Sequence, residues 1–334
     1  MGDKVKIGIL GCANIVKKYA IKSFQSIPNA EVVSIASRDY NKAKDWAAQY
    51  GIQAEESYDA LLANNNIDAV YIPLPIGLHK EWVLKSAAAK KHVICEKSLA
   101  ESFASVKEIV NYCKSNGIIL YENFMCDYHP QHEKVLSLIK DGSIGKPFVF
   151  QGYFGFPLRN KDDIRYNKDL GGGSLNDLGA YTVFMARKIL LDEPVAVTSK
   201  LSYVDGIDLS GTAQLEFSDG KIGLVAFSFD AVYQNNYSVW GDKGIITVGR
   251  AYGIPPDMKP NLELLVNENL KESRTSIEVP AANHFELIFS DFCDKILNKN
   301  SIDIYSKLLS QARALEAVRI SSKDNRKVYV KEII

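Results

Sequence analysis

Val5-Lys6-Ile7-Gly8-Ile9-Leu10-Gly11-Cys12-Ala13-Asn14-Ile15-Val16 is an apolar run, a glycine turn and a helix-like continuation. This is the strand–turn–helix in which a dinucleotide pyrophosphate meets a helix N-terminus. Aligned as G-x-G-x-x-G it keeps Gly11 alone, with Ala13 and Val16 at the second and third positions. The pattern by itself is weak, and a tight turn with no ligand is the competing reading. What favours a ligand is its place after a first strand, opening a βαβ unit.

Working outward, short apolar runs at 4–10, 31–36, 69–72, 92–95 and 118–121 alternate with helix-like stretches at 40–50, 58–63, 80–89 and 102–115. Continuous apolar strands separated by helices predict a parallel sheet covered on both faces. After Phe124 the rhythm changes. A helix at 131–139 is followed by strand-like runs at 148–154, 196–204, 211–217, 222–229 and 238–240, interrupted by a helix at 175–190. Turn signals such as Ser218-Asp219-Gly220 join neighbours without a crossover helix, so this second sheet is expected to be mostly antiparallel. Helices at 284–297 and 306–321 close the chain. The expected fold is α/β, with a Rossmann dinucleotide-binding domain at 1–124 and an α/β domain at 125–334.

Composition agrees. A length of 334 residues suits about two domains. Hydrophobic residues make up 46% and charged residues 24%, and no apolar run is long enough to span a membrane. The first residues carry no cleavable signal pattern, so the expected location is the cytoplasm. Cys12, Cys95, Cys113, Cys126 and Cys293 are scattered, without a C-x-x-C pair, and are expected to be reduced and buried. Lys plus Arg equals Asp plus Glu at 40 each, which disfavours nucleic acid as a partner.

Three places carry chemistry. The second strand ends at Ile35-Ala36-Ser37-Arg38, roughly 20 residues past the glycine turn, where an NAD-binding chain presents an acid to the ribose diol. Arg38 can fork onto a 2′-phosphate and Ser37 can add a hydrogen bond, so NADP is expected over NAD. Asp39 points the other way, and a solvated surface arginine is the plain alternative. Pro73-Leu74-Pro75 closes the third strand and Glu96-Lys97-Ser98 the fourth, so Lys97 should lie beside the nicotinamide, or else be an ordinary turn lysine. Finally, Gly171-Gly172-Gly173-Ser174 opens a helix bearing Asp177 and Tyr181 on one face. Ser174 and Asp177 also fit a capping box, Tyr181 also fits a core aromatic, and the glycines serve a close approach or a bend.

Gly8-Ile9-Leu10-Gly11-Cys12, Glu96-Lys97 and Gly171 to Tyr181 resemble the glucose–fructose oxidoreductase and inositol dehydrogenase (Gfo/Idh/MocA) family, along essentially the whole chain. Within it, Pro73-Leu74-Pro75 with His79-Lys80-Glu81-Trp82, Glu122-Asn123-Phe124-Met125, His129-Pro130-Gln131-His132 and Asp163-Ile164-Arg165-Tyr166 resemble the NADPH-dependent sugar-nucleotide 3-ketoreductases of deoxysugar synthesis. The resemblance implies a homodimer or homotetramer formed through the open C-terminal sheet. It also implies that Gly11, Cys12, Ala13, Asn14, Ile15, Ser37, Arg38, Pro73, Leu74, His79, Glu96, Lys97 and Asn123 hold the cofactor. Lys97 and Tyr181 would flank the sugar, with Asp177 beside them and His129, Arg165, Tyr166 and Asn176 as further substrate contacts. A surface ion pair is the other reading of Arg165, and loop packing that of His129. No metal is expected, since two histidines without a nearby carboxylate or cysteine make a poor site.

The family usually reads Glu-Lys-Pro, and Ser98 replaces the proline here. A cis peptide at a non-proline costs about 3–4 kcal/mol, so a trans Lys97-Ser98 bond is expected. Tyr181 stands where many polyol dehydrogenases carry histidine, and Ile76 where they carry asparagine, which agrees with the ketoreductases. The implied reaction is hydride transfer from NADPH to a ketone carbon, C3 of the sugar by resemblance alone, with Tyr181 giving the proton. An ammonium at Lys97 would favour phenolate and steady the oxyanion, while Asp177 orients Lys97 or a hydroxyl. The alternatives are an NADP-dependent dehydrogenase of a free sugar or vicinal diol, and a catalytically silent dinucleotide sensor.

Overall fold

The computed structural model describes residues 3–157, 160–299 and 304–334. The chain folds as two units, one comprising Met1–Met125 with Phe285–Leu309 and the other Cys126–His284 with Ser310–Ile334. The single boundary expected near residue 124 therefore needs correcting, because the chain returns to the first unit late.

In the first unit the order is β1 (Val5–Leu10), α1 (Ile21–Ser26), β2 (Ala30–Ala36), α2 (Tyr40–Tyr50), β3 (Gln53–Glu55), α3 (Tyr58–Ala63), β4 (Ala69–Ile72), α4 (Ile76–Ala88), β5 (His92–Glu96), α5 (Phe103–Ser115) and β6 (Leu120–Asn123). All six strands are parallel, in the order β3-β2-β1-β4-β5-β6. Ile7, Ile9, Val70, Ile72, Val93 and Ile94 are fully buried, as residues sandwiched between helix layers must be. Strand order reverses between β1 and β4, and the crevice beyond the carboxyl ends of those strands is where a doubly wound sheet takes its ligand. β3 has no apolar run to announce it.

The returning segment is α8 (His284–Leu297). Phe285, Ile288, Phe289, Phe292 and Cys293 are buried at helical spacing. Phe289 stacks on Phe24 with ring centroids 3.8 Å apart, and Phe285 on Tyr19 at 5.2 Å. Aromatic area of this size decides where the helix docks, which a linear reading of domain order does not contain.

The second unit holds α6 (Pro130–Lys140), β7 (Pro147–Phe156), α7 (Ala180–Leu190), β8 (Ala196–Val204), β9 (Ile207–Glu216), β10 (Ile222–Phe229), β11 (Gln234–Gly241), β12 (Gly244–Gly249), β13 (Asn261–Glu268), β14 (Lys271–Ser276) and β15 (Val328–Tyr329), with most of α9 (Ile304–Asp324). Its nine-stranded sheet runs β14-β13-β12-β11-β7-β10-β9-β8-β15. Every pairing is antiparallel except β7 with β10. Phe150, Leu215, Val225, Phe227, Tyr237 and Val239 are buried, and α7 packs along β7 and β10. β12 to β15 escape the sequence reading; β14 is exposed at all six positions, with the Lys, Glu and Arg that guard a sheet edge. All five cysteines are free and buried. Among the described residues no helix is long and apolar enough to cross a membrane.

Candidate active site

In the first unit the glycine turn is tied down by Gly11 N donating to Ala36 O at 2.9 Å. Gly11 has φ +126°, and a Cβ there would sit 3.0 Å from Leu74 Cδ2, so the turn from β1 closes against the end of β4 only without a side chain. Ala13 and Ile15 are half-buried and Asn14 exposed. The helix that follows begins at Asn14 and passes through a π turn at Val16–Ala20 before α1.

At the end of β2, Ser37 is buried and Arg38 exposed. Asp39 caps α2, its carboxylate accepting from Asn41 N at 3.0 Å and Lys42 N at 3.3 Å. The acid that argued for NAD is thus turned to helix backbone. Burial pushes the Cys12 thiol up, against Lys42 and a hydrogen bond with Ser37, so Cys12 stays a packed thiol beside the turn.

Beyond β4, β5 and β6 lies a network that sequence does not show. Glu96 accepts from Tyr71 Oη at 2.7 Å and from Asn123 Nδ2 at 2.6 Å. Burial raises the Glu96 pKa, opposed by these two bonds and by the Lys97 charge. Asn123 is fully buried, and its Oδ1 has no partner among the described residues. His79, expected to touch cofactor, is also fully buried, with Nδ1 2.8 Å from Ser98 O and Nε2 2.7 Å from Leu74 O. It staples the loops after β4 and β5 together, and burial pulls its pKa down to about 4 against the two carbonyls. The Lys97-Ser98 bond expected to be trans is cis. Ser98 is buried with its carbonyl on His79, and Leu99 N donates to Glu122 Oε1 at 2.8 Å; tertiary partners on both sides set a turn that the local preference alone does not.

In the second unit, Arg165 Nε donates to Asp177 Oδ2 at 2.6 Å, and Nη1 to Asp163 Oδ1 at 3.2 Å. Both carboxylates hold the Arg165 pKa above its ordinary value, Asp177 most strongly. The arginine expected to meet substrate is thus engaged with Asp177, which it orients. Asp177 is no half of a capping box. Ser174 makes no cap bond, and the segment Leu175–Gly179 is a π turn leading into α7. Tyr181 is 6% exposed, its ring edge-on to Phe154 at 5.5 Å and near Tyr252 at 6.1 Å. Core packing therefore fixes the phenol ring at the start of α7, four residues after Asp177.

The remaining expected contacts divide. Tyr166 donates to Asp230 Oδ2 at 3.2 Å, with Lys161 Nζ 4.4 Å from its ring centroid. Asn176 is buried and accepts from Arg319. His129 is fully buried; its Nδ1 accepts from Gln131 N at 3.2 Å, and its ring lies 6.0 Å from that of His284. It packs and caps α6 rather than lining a surface. Sequence reasoning also passed over Asp163, Tyr71 and Asp208. Asp163 sits two residues before Arg165 and was legible as a local charge pair; the other two act across strands.

The residues present fit a dinucleotide: a turn that excludes Cβ at Gly11, a serine and arginine after β2 with the neighbouring acid withdrawn, and the buried Asn123 Oδ1, without a partner among the described residues. A model described as "Oxidoreductase family, NAD-binding Rossmann fold" matches residues 5–124, and one described as "GFO/IDH/MocA C-terminal domain" matches residues 132–247. dTDP-3,4-didehydro-2,6-dideoxy-alpha-D-glucose 3-reductase of Saccharopolyspora spinosa is 36% identical, over 77% of this chain and 78% of that protein. D-xylose 1-dehydrogenase (NADP(+)) 2 of Haloferax volcanii is 37% identical, over 75% of this chain and 77% of that protein. KijD10, a 3-ketoreductase from Actinomadura kijaniata solved with NADP and TDP-benzene, superposes with a TM-score of 0.91 at 30% identity, covering 96% of this chain and 98% of that one. With both of its units matched by the family's own models and such relatives spanning three quarters of its length or more, the chain belongs to the Gfo/Idh/MocA oxidoreductase family.

Proposed function

We propose that the chain is an NADPH-dependent reductase of a keto group, at C3, on a nucleotide-linked deoxysugar. The observation that carries this reading is the segment from Gly173 to Tyr181, which bears a carboxylate held by arginine and, four residues on, a packed phenol, in a chain 36% identical to a dTDP-sugar 3-reductase. When bound, NADPH supplies the hydride. Gly11 to Ile15 would receive its pyrophosphate, Ser37 and Arg38 its 2′-phosphate, and Asn123 and Glu96 its nicotinamide end.

Lys97 and Tyr181 then act on one oxygen. As the ketone becomes an alkoxide, the Lys97 ammonium stabilises the growing charge and Tyr181 Oη delivers a proton to that oxygen. A phenol ordinarily titrates near pH 10, and a neighbouring ammonium favours its ionised form, so the same lysine eases the transfer. Asp177, held by Arg165, accepts a hydrogen bond from a sugar hydroxyl or from Lys97. The xylose dehydrogenase at 37% identity favours one competing reading, the reverse chemistry on a free sugar. A second copy would cover the outer face of the nine-stranded sheet, where Tyr153 and Trp240 are 38% and 49% exposed. The test is NADPH oxidation by the purified chain over dTDP-linked 3-ketosugars, against NADP+ reduction with free aldoses and vicinal diols. Turnover with the free sugars alone would reject the proposal.

A further inference from the structure

A turn that must place both Asp177 and Tyr181 needs a fixed starting point, and its own residues do not provide one. Ser174 precedes the π turn with helical φ and ψ and no side-chain cap; Asp177 N donates to Gly173 O at 3.3 Å, while Leu175 N takes its acceptor from elsewhere. The acceptor for Leu175 N is Asp208, on β9. Its Oδ2 accepts from Leu175 N at 2.6 Å and from Ser174 Oγ at 2.9 Å. The approach is so close that a Cβ on Gly173, at φ +127°, would collide with Asp208 Oδ1. This explains the last glycine of the triplet: it makes room for the carboxylate. One residue on, Arg319 of α9 donates to Asn176 Oδ1 and is itself paired with Glu316 at 3.0 Å.

We propose that Asp208 is a positioning residue for the reaction, a capping carboxylate supplied from a neighbouring strand that fixes the Ser174–Leu175 corner and hence the stations of Asp177 and Tyr181. It touches neither reacting atom. This inference rests on the reductase reading for its kinetic consequences but not for its geometry. Removing the carboxylate frees the first turn to shift, and displacement of about 1 Å at a reacting group can cost about 100-fold in rate.

The full-length chain with Asp208→Ala is expected to lose about 10- to 100-fold in kcat with a ketosugar substrate, with NADPH affinity, titrated separately, within about twofold of the parent chain. Asp208→Asn keeps an oxygen for both donors and restores kcat to within about threefold, which a mere dependence on charge would not allow. Because Asp208 works through Tyr181 as well as Asp177, adding Asp208→Ala to Tyr181→Phe lowers kcat by less than the product of the two single losses. Hydrogen–deuterium exchange at the amides of residues 174–181 reads the clasp without any substrate: faster in Asp208→Ala, unchanged in Asp208→Asn. Should the alanine chain fail to fold, Ser174→Ala removes one donor only and is expected to cost about three- to tenfold in kcat. Unchanged kcat in Asp208→Ala or Ser174→Ala, a loss in the double variant equal to the full product of the single losses, or unaltered exchange would each overturn the proposal. A parent chain inert on every ketosugar would sink the reductase reading instead, and the exchange measurement would still decide whether Asp208 holds the turn.

Discussion

Replacing Arg38 by alanine separates recognition of the 2′-phosphate from everything else the first unit does. Arg38 is exposed at the end of β2. A charge-assisted bond to phosphate contributes about 1.5–3 kcal/mol, and solvent at an exposed rim pulls the figure toward the lower end. The expected loss in kcat/KM for NADPH is therefore about 10- to 30-fold, while kcat/KM for NADH, which lacks the phosphate, moves by less than about twofold. The control is the adjacent acid. Since Asp39 spends its carboxylate on Asn41 N and Lys42 N, Asp39→Ala should cost about 0.5–2 kcal/mol of stability as a lost N-cap and leave the NADPH-to-NADH ratio within about threefold. Steady-state rates with both coenzymes, paired with thermal melts of the three chains, give all the numbers needed. Equal losses with NADPH and NADH in Arg38→Ala, or a swing in preference above about tenfold in Asp39→Ala, would refute the assignment.

Tyr181→Phe should cut turnover by about 10² to 10⁴, the usual reach of a general acid, with NADPH binding retained; full turnover by the phenylalanine chain rules the phenol out as donor. Acid should destabilise the second unit in a defined window. Burial holds His129 and His284 at about 4 and about 3, whereas unfolded histidine titrates near 6.5, so below that pH the unfolded chain binds more protons and stability falls as pH drops toward 4. Each histidine adds up to about 1.4 kcal/mol per pH unit. Urea midpoints followed from neutral pH downward should show a shallower fall in His129→Asn, which keeps a capping oxygen, and an identical slope would contradict the assignment. Trp240→Asp should convert the assembly to single chains in sedimentation if the outer sheet face is covered by a second copy; unchanged mass would leave that face out of the interface.

Most of the first unit was legible because its determinants are local. The boundaries of α2 and α3 coincide with the expected helices, since Asp39 and Ser57 cap them within the same short stretch. β4 was legible as a continuous apolar run, buried at all four positions. Even the preference for NADP rests on three consecutive residues, and the cap at Asp39 only removes the objection to it. Where the determinant lay elsewhere in the chain, the sequence was silent. The position of α8 depends on stacking against Phe24, far away in sequence, and the geometry at Lys97-Ser98 on His79 and Glu122.

The same division separates the two readings of Ser174 and Asp177. S-x-x-D is a local pattern, and read locally it closes on itself as a capping box. In the folded chain each member is taken by a stronger distant partner: Ser174 gives its hydroxyl to Asp208, and Asp177 takes the guanidinium of Arg165. Ionised partners make shorter, stronger bonds than a neutral hydroxyl on a backbone amide, so the tertiary pairing wins over the local one. The outcome is chemical as well as structural. A capping Asp177 would have its oxygens turned to helix amides, whereas here Arg165 holds one of them from outside the turn, four residues before Tyr181.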